Sequence, residues 1–505
     1  MNKLAKQFFA FVAVLGLAGC SKKHDHNYVF DHVDDPTLTS DGYYVTKCSI
    51  CGEEHKETIP HLNDKDYTVS TVEASCLNPG YDLYSSEKYG EFKNITSEQL
   101  DHSTYDGVCE YCEHSINNFT FSKDTIVKIN AGGNAYPRLL ALESEEDVLL
   151  CVYEQSGKCV IKRSEDNGAT WSKRTVTASF HDEVVCGNPI LFEAKDGTIY
   201  CGYRALARSS DANARNIYSS VSYDGGETFE DFAVVEDIYD LGYTRDQVAA
   251  AVRKHGGIGF FEPFFGYIND KLVCMYADDA TPMLEDVWKN ASLNYACQRL
   301  VYKELIDGEW TNRTVVMDGA VEKSINEISL AQTSRDGMPE FAQLSDGTYV
   351  LVFEGTYRRA SNYGSNPFEI LISYSRDGKT WSQPIEVFQP HGNTTKASAP
   401  DIEITKDDRL IISFQTDEDC YAAGKGIGDG VSIMKVIISD GTPVDKLTKE
   451  NFYEAKNPFF KEPGQQSVWT GMMLKDDTLY CVAGDGSVIM NTAEVPLRAE
   501  PIHRD

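Results

Sequence analysis

Positive charge is scarce in this 505-residue chain, where 47 Lys and Arg residues stand against 78 Asp and Glu residues, a formal net charge of −31. Nucleic-acid phosphates and anionic membrane surfaces would repel such a chain, which argues against both as partners. The sequence also lacks a nucleotide-binding glycine loop and the Ser-His-Asp order of a hydrolase triad. Methionine is sparse, with 9 residues beside 28 Tyr and 23 Phe, and an aromatic-rich composition of this kind favours β-strands.

Long apolar runs are nearly absent, and the single candidate, Phe8 to Leu17, is too short for a stable membrane-spanning helix. Lys3 and Lys6 precede it, and Leu-Ala-Gly-Cys20 ends it, as in a bacterial lipobox. We therefore expect residues 1–20 to be a lipoprotein signal peptide and Cys20 to be lipidated. The alternative is ordinary cleavage with an incidental Cys20. The prediction is an exported bacterial lipoprotein that faces the cell exterior and meets the membrane only through this anchor.

Cysteine usage does not fit a disulfide framework, because an odd number of cysteines follows Cys20 and they cannot all pair. Those between Cys151 and Cys481 mostly lie inside apolar segments such as Leu150-Cys-Val and Val273-Cys-Met. We expect these cysteines to be small buried hydrophobic residues rather than disulfide partners.

Residues 21–117 differ from the rest in being rich in His, Cys and turn residues. Two CxxC pairs, Cys48/Cys51 and Cys109/Cys112, could together hold one structural zinc ion, although the spacer between them is long. The segment from Asp41 through Cys51 also resembles the segment from Pro79 onward, where Ser86 and Tyr89 replace the two cysteines. The sequence thus predicts a small zinc-ribbon-like repeat module with possible structural zinc. An unmetallated or disulfide-closed spacer is the alternative.

The remainder of the chain repeats one phrase six times: a polar or Pro-marked entry, an apolar stretch, an acidic or Asn-led turn, and a second apolar stretch. Strand–turn–strand units at this spacing indicate a β-propeller, which collects the ends of its inner strands around one cavity. The copies run over Tyr136–Glu154, Asn188–Arg204, Phe261–Ala277, Met338–Glu354, Ala399–Gln415 and Trp469–Gly484.

A second motif, S-x-D-x-G-x-T-[WF], lies between the repeats at Ser164–Trp171 and Ser222–Phe229, with a shorter variant at Ser375–Trp381. Its Ser and Asp side chains suit hydrogen bonds to a tight turn, in which Gly supplies positive φ. These are the Asp boxes of sialidase-like propellers and predict structure rather than substrate. We therefore predict an all-β fold, a sialidase-like six-bladed β-propeller over 118–505. Asn118 to Ile129 would complete the last blade and close the ring.

Two enzyme families share this fold, and the motifs favour one of them. Where the sialidase pattern has a Glu and an Arg, the fourth repeat has Met338 and Glu354. Asn188-Pro-Ile-Leu-Phe, Phe261-Glu-Pro-Phe and Arg335-Asp-Gly-Met instead resemble, in order, motifs of glycoside hydrolase family 93. That family consists of six-bladed exo-1,5-α-L-arabinanases, and the resemblance covers essentially the whole propeller.

The resemblance implies retaining hydrolysis by two glutamates, which it places on Glu262 as acid/base and Glu354 as nucleophile. The residue types agree, because cleaving a glycosidic bond takes one carboxylic acid and one carboxylate. Apolar neighbours around Glu262 would raise its pKa, and Arg358 near Glu354 would keep Glu354 ionised. Further candidates for sugar binding occupy repeat-equivalent positions or could stack on a ring: Arg138, Asn188, Arg204, Asp401, Tyr136 and Phe261.

The sequence thus predicts a surface-anchored, monomeric exo-glycosidase that acts on an oligo- or polysaccharide, α-1,5-L-arabinan in the first instance, without a catalytic cofactor. Two alternatives stay open at this point. One is a sialidase-like hydrolase that uses Arg138 and Arg204 on an acidic sugar. The other is a propeller that binds a glycan without cleaving it.

Overall fold

A computed structural model describes residues 26–73, 80–86, 88–97, 104–105, 108–109, 119–132, 135–179, 185–206, 213–285, 297–320, 323–325, 328–332, 334–356, 368–391 and 395–496. The predicted signal peptide with Cys20, the side chains of Cys109 and Cys112, and Arg358 lie outside the described residues. The chain divides into two compact units, one over 1–116 with 499–505 and one over 117–498. No helix among the described residues is long and apolar enough to cross a membrane.

The first unit contains two antiparallel sheets of three strands each, in the orders β1-β2-β3 and β4-β5-β6. The two segments that resemble each other in sequence, Gly42–Cys48 and Gly80–Ser86, form the middle strands of these sheets. A short hairpin follows. The strands are β1 (Tyr28–Asp34), β2 (Gly42–Cys48), β3 (Glu54–Ile59), β4 (Thr68–Val72), β5 (Gly80–Ser86), β6 (Gly90–Ser97), β7 (Thr104–Tyr105) and β8 (Val108–Cys109).

The second unit begins with β9 (Val127–Ala131) and continues as six successive antiparallel blades, which confirms the predicted fold class. Blades 2 and 3 are joined into one eight-stranded sheet by a short parallel contact at Ala214 and Ile258. Blade 1 consists of β10 (Ala135–Ala141), β11 (Leu149–Gln155), β12 (Lys158–Ser164) and β13 (Val176–Thr177). Blade 2 consists of β14 (Gly187–Glu193), β15 (Ile199–Leu206), β16 (Ala214–Ser222) and β17 (Glu230–Glu236). Blade 3 consists of β18 (Ile258–Ile268), β19 (Lys271–Asp278), β20 (Arg299–Ile306) and β21 (Glu309–Asp318).

A short hairpin, β22 (Lys323–Ile325) and β23 (Ile328–Gln332), precedes blade 4. Three helices interrupt the strands in the described part of the propeller: α1 (Arg245–His255), α2 (Ala280–Leu284) and α3 (Glu418–Ala422). Blade 4 consists of β24 (Gly337–Gln343), β25 (Tyr349–Gly355), β26 (Glu369–Ser375) and β27 (Ile385–Phe388). Blade 5 consists of β28 (Ala397–Ile404), β29 (Leu410–Thr416) and β30 (Ile433–Ile438). Blade 6 consists of β31 (Val468–Lys475), β32 (Thr478–Gly484) and β33 (Ser487–Glu494) together with β9.

The ring closes through β9, which pairs antiparallel with β33 from Val127 to Ala131. This is the predicted closure, and it removes the free sheet edge that an open array would expose. Asn491 in β33 fastens the same segment, because it donates to the carbonyl of Ser122 at 3.0 Å and accepts from the hydroxyl of Thr125 at 2.6 Å.

The Asp boxes form the turns between the third and fourth strands of blades 1, 2 and 4, as predicted. In the second one, the Asp224 carboxylate accepts from the backbone N–H of Thr228 at 2.9 Å and from the hydroxyl of Ser222 at 2.8 Å. The Ser222 hydroxyl in turn accepts from Gly226 N–H at 2.9 Å. Partial burial acts to raise the pKa of Asp224, but the hydrogen bonds together outweigh burial and keep this pKa below its usual value.

The predicted buried cysteines of the propeller are confirmed, because Cys151, Cys201, Cys274 and Cys481 are fully buried thiols in second strands of blades. Burial is the main cause that raises the pKa of each of these thiols, so they remain protonated and unreactive. They pack as small hydrophobic side chains between neighbouring blades.

Candidate active site in the propeller cavity

A backbone irregularity recurs at the start of the first strand of every blade. Each first strand contains a register shift against its partner, and one residue in each shift has a φ between +49° and +57°. Five of these six residues are followed by proline. The positive-φ residues are Tyr136, Asn188, Glu262, Met338, Ala399 and Trp469.

This left-handed conformation is unfavourable for residues other than glycine, and strained residues concentrate at functional sites. Four of the six residues, Tyr136, Asn188, Glu262 and Met338, line one small cavity. Arg138, Glu340 and prolines of the same strands complete its wall. The repeat therefore brings together residues that lie far apart in sequence.

The backbone N–H of a positive-φ residue is held by a side chain from the preceding blade. Glu154 of blade 1 accepts from Asn188 N–H at 2.7 Å, Glu354 of blade 4 accepts from Ala399 N–H at 2.9 Å, and Gln415 of blade 5 accepts from Trp469 N–H at 2.7 Å. These three acceptors occupy equivalent positions near the ends of the second strands. Glu354 thus makes a structural hydrogen bond that Gln415 makes in the same way in blade 5.

Blade 3 has Ala277 at this position and cannot supply the acceptor from there. Glu262, the positive-φ residue of blade 3 itself, supplies it instead, and its Oε2 accepts from Met338 N–H at 2.9 Å. Blade 3 therefore departs from the repeat, because its acceptor is Glu262 in the first strand and not a residue at the end of the second strand.

The two predicted catalytic glutamates consequently approach the same dipeptide of blade 4. Glu262 bonds the N–H of Met338, and Oε1 of Glu354 lies 3.2 Å from the position that a Cβ on Gly337 would take. Glycine at 337 therefore leaves room for the Glu354 carboxylate. Two glutamates from different blades thus approach adjacent residues of blade 4, and Glu262 is the one that lines the cavity.

Glu354 is 4% exposed, and burial raises its pKa to about 7. Arg335, whose Nη1 lies 3.4 Å from Glu354 Oε1, acts in the opposite direction, whereas the charge of Glu262 raises the pKa further. The sequence led us to expect that guanidinium charge would keep Glu354 ionised. Arg358, on which that expectation was based, lies outside the described residues, so the expectation stays a prediction. Among the described residues, burial outweighs the opposing effect of Arg335.

Two charged residues near the pair were not found from the sequence. The sequence indicated Arg335 only as part of a motif and not as a neighbour of Glu354, which it contacts in the structure. Asp279 accepts from Gly259 N–H at 2.7 Å, and burial raises its pKa to about 7, with the charge of Glu262 contributing. Both precede or follow strands rather than lying within the aligned repeat, so the repeat gave no signal for them.

Arg138 is buried and its guanidinium is engaged by the protein. Nη1 donates to the carbonyls of Thr470 at 2.7 Å and Pro137 at 3.0 Å, and Nε lies 3.5 Å from Glu340. Asp401, also buried, accepts from Met472 N–H at 2.7 Å. Both residues link neighbouring blades at the cavity wall, which is the structural role that repeat-equivalent positions allow.

Glu340 was also missed by the sequence analysis. It is buried in the cavity wall beside Arg138, and burial together with the charge of Asp401 raises its pKa well above the usual value. This shift favours the protonated form of Glu340, whereas the neighbouring Arg138 favours the ionised form.

The aromatic candidates differ in their surroundings. Tyr136 stacks on Trp469, with ring centroids 4.4 Å apart, so these two rings lie face to face across the junction of blades 1 and 6. Phe261 lies under two guanidinium groups, those of Arg204 at 5.5 Å and Arg215 at 5.9 Å from its ring centre. This cation–π arrangement places Arg204 beside Phe261, which precedes Glu262 in sequence.

Asn188 has the clearest unmet bonding capacity in the cavity. It is 4% exposed, and both polar atoms of its side-chain amide are buried without a well-aligned hydrogen-bond partner. The nearby Tyr136 hydroxyl interacts with this amide, but only weakly against the burial that raises the pKa of Tyr136. A buried amide with unmet bonds is costly, and a ligand hydroxyl that both donates and accepts would satisfy it.

Fold and site together define the class: a sialidase-like six-bladed propeller in which two glutamates approach adjacent residues of one blade. No protein-family model matches the chain, and a search of curated proteins finds no match. Solved structures do share the fold. An α-L-arabinofuranosidase from Fusarium graminearum, solved as a mutant with an iminosugar inhibitor, is 18% identical with a TM-score of 0.50, covering 73% of this chain and 97% of that one.

Two further solved structures match at lower similarity. A Penicillium chrysogenum α-L-arabinanase complexed with arabinobiose is 17% identical with a TM-score of 0.47, covering 76% of this chain and 100% of that one. The NanB sialidase of Streptococcus pneumoniae is 10% identical with a TM-score of 0.46, covering 91% of each chain. The likeness to the Fusarium enzyme establishes the fold, which is the one expected from the family 93 resemblance.

Proposed function

We propose that this protein is a glycoside hydrolase that removes units from the ends of α-1,5-L-arabinan chains with retention of configuration. The observation that carries the proposal is the approach of Glu262 and Glu354 to the adjacent residues Met338 and Gly337 at the start of blade 4, where Glu262 and Met338 line the cavity. Retaining glycosidases need two close carboxyl groups, about 5–5.5 Å apart. The choice of arabinan follows the motif resemblance and the fold shared with the Fusarium enzyme.

The environments of the two glutamates suggest their roles. Because burial raises the pKa of Glu354 to about 7, Glu354 carries a proton over much of the neutral range and suits the general acid. It would protonate the departing glycosidic oxygen while the Glu262 carboxylate attacks the anomeric carbon and forms a glycosyl ester. Water would then cleave the ester, giving its proton to Glu354. This assignment reverses the one implied by the family resemblance.

A neutral sugar suits the cavity better than an acidic one. Arg138, which a sialidase-like mechanism would use to bind a carboxylate, is already engaged by two carbonyls and Glu340. Burial and the charge of Glu262 raise the pKa of Tyr136, which opposes its use as a nucleophile. Asn188 offers both a donor and an acceptor for sugar hydroxyls, and an outer ring face of the Tyr136–Trp469 stack would offer a place for a sugar ring to stack.

The hydrolysis that we propose needs no metal or cofactor, since both carboxyl groups and the substrate hydroxyl contacts come from the chain. We further propose that the protein acts as a monomer at the outer surface of a bacterial cell, anchored through Cys20. The lipobox-like Leu-Ala-Gly-Cys20 segment is the support for this location. The first unit would then lie between the anchor and the propeller along the chain.

Product analysis on linear, debranched arabinan tests the proposal, with a sialylated oligosaccharide and a xylan as comparison substrates. We expect short arabino-oligosaccharides such as arabinobiose from the first substrate alone. Release of sialic acid would instead support the sialidase-like alternative. Binding to arabinan without any product from the panel would overturn the enzymatic proposal and support a glycan-binding propeller.

A further inference from the structure

The proposed hydrolysis leaves the CxxC turn of the first unit unexplained. Cys48 ends β2, Cys51 lies in the turn to β3, and His26 precedes β1. Pairing of β1 with β2 sets Tyr28 opposite Cys48 and so brings His26 to the turn. One ligand atom from each of the three residues lies within 4.8 Å of the other two. We propose that His26, Cys48 and Cys51 bind one zinc ion.

The turn itself has the geometry of a metal-binding knuckle. Cys48 N–H donates to the carbonyl of Glu53 at 2.8 Å, and Gly52 N–H donates back to the carbonyl of Cys48 at 2.8 Å. Gly52 has a φ of +76°, which a residue with a side chain adopts only with strain. The backbone thus fixes the turn that presents both thiols, and the site needs little rearrangement to accept an ion.

The distances suit a tetrahedral zinc ion. Zinc–sulfur bonds of about 2.3 Å and zinc–nitrogen bonds of about 2.0 Å at a tetrahedral angle separate nitrogen from sulfur by about 3.5 Å. The Nδ1 atom of His26 lies 3.6 Å from the sulfur of Cys51. The other ring nitrogen, Nε2, lies 3.6 Å from a carboxylate oxygen of Glu53. A zinc-bound histidine ordinarily directs its second nitrogen to such a carboxylate, which fixes the tautomer.

The second sheet of the unit shows what replaces the ion where the ligands are missing. Ser86 and Tyr89 stand in the positions of Cys48 and Cys51. There Tyr89 and Phe92 pack against a buried cluster that includes Tyr67 and Tyr84. The outer strands of both sheets are mostly exposed, β1 and β3 in the first and β4 and β6 in the second. A small sheet with so little buried apolar surface is the kind that a metal stabilises.

This ligand set differs from the sequence prediction, which paired Cys48 and Cys51 with Cys109 and Cys112. Three ligands from one continuous segment, 26–51, avoid the long spacer that the four-cysteine site requires. The fourth coordination position can be taken by water or by another side chain. The site belongs to the first unit and shares no residue with the glutamate pair, so the inference does not depend on the proposed hydrolysis.

Metal analysis of the purified full-length chain tests the site. After incubation with zinc and extensive dialysis, we expect about one zinc ion per chain to be retained. The variants His26→Ala and Cys51→Ser should each lose most of that zinc. His32→Ala is the matched control, because His32 lies on the same sheet, is half-exposed and pairs with Asp31 and Asp34. It should retain zinc as the parent does.

Cobalt substitution of the unmodified protein provides a second measurement that needs no variant to fold. A tetrahedral cobalt ion with two thiolate ligands gives strong visible bands and a thiolate-to-cobalt charge-transfer band, and added zinc should abolish both. Absence of zinc and of these bands in the reduced parent protein would overturn the proposal. Full zinc retention by His26→Ala or by Cys51→Ser would also overturn it, because the proposed ligands would then not hold the ion.

Discussion

At the residue scale, the candidate site depends on which side chain accepts a hydrogen bond from the backbone N–H of the positive-φ residue in the next blade. Alignment of the repeats was enough to predict that Glu262 and Glu354 approach each other, because the first-strand entry and the second-strand end of each blade converge at the centre of a propeller. It could not predict that Glu262 takes over the bond that Ala277 cannot make. It also missed Arg335 and Asp279, because both lie outside the repeats. Glu340 was missed although it occupies the position equivalent to Arg138 and Asp401.

The pH dependence of activity should report the proton on Glu354. If Glu354 is the general acid, kcat/KM should fall as the pH rises through about 7, where the carboxyl loses its proton. Arg335 lowers this pKa, so Arg335→Gln should move the falling limb to higher pH, by about one unit. Arg376→Gln, at the other end of blade 4, serves as the control and should leave the limb in place. If the falling limb of Arg335→Gln moved to lower pH, that result would contradict the assignment of Glu354 as the general acid.

Asn188 should contribute to substrate binding through the unmet bonds of its amide. Asn188→Gly removes the amide, tolerates the φ of +49° and keeps the backbone N–H that Glu154 accepts. Loss of one or two hydrogen bonds to the sugar should lower kcat/KM by about tenfold, with the free energy of unfolding little changed. Steady-state kinetics on arabino-oligosaccharides, with thermal unfolding alongside, measure both. Unchanged kinetics would place Asn188 outside the substrate site.

At the element scale, the sequence specified the Asp-box turns almost completely. Their Ser, Asp, Gly and Thr residues bond to one another over a short stretch of chain, so spacing alone was sufficient. In the sequence, the only sign of the positive-φ bulges is the proline that follows five of the six positive-φ residues. Their conformation follows from pairing with the second strand of the blade, and pairing geometry is not written in the local sequence.

Asp224 should stabilise its blade through hydrogen bonds made by the ionised carboxylate. Its folded-state pKa is lowered, so this stability is present above the unfolded-state pKa and is lost as the pH falls through the folded-state pKa. Asp224→Ala should cost about 1–2 kcal/mol at pH 7 and less near pH 3. Denaturant unfolding at both pH values measures this. Glu230→Ala, on the exposed first position of β17, is the control, and an equal loss for both variants would contradict the prediction.

At the scale of the whole molecule, six blades and a strand from before the first blade form a closed ring. The number of blades and the closing strand were both predictable, because the repeats could be counted and the segment before them read as a strand. The first unit was less predictable. Its repeat appeared in the sequence, but the approach of His26 to the CxxC turn depends on how β1 pairs with β2.

Ring closure should depend strongly on Asn491, which is fully buried and bonds to Ser122, Thr125 and Pro458. Asn491→Ala leaves these groups without their partner and should lower the free energy of unfolding by about 3 kcal/mol. Hydrogen exchange should accelerate first in β9 and β33. Thr492→Ala, one residue along the same strand, is the control and should have a smaller effect. Acceleration spread evenly over all six blades would contradict the closing role of β9.

The central claim is that Glu354 performs chemistry beyond its structural bond, and the chain contains a matched comparison for it. Glu154 holds the N–H of the next blade in the same way, and Gln415 shows that a glutamine makes this bond. The measurement is kcat/KM on debranched arabinan for Glu354→Gln beside Glu154→Gln, with unfolding curves for both. We predict similar stabilities, a loss of about 10²–10⁴-fold for Glu354→Gln and a loss of less than about tenfold for Glu154→Gln. Equal activities in the two variants would show that Glu354 is only a structural link between blades.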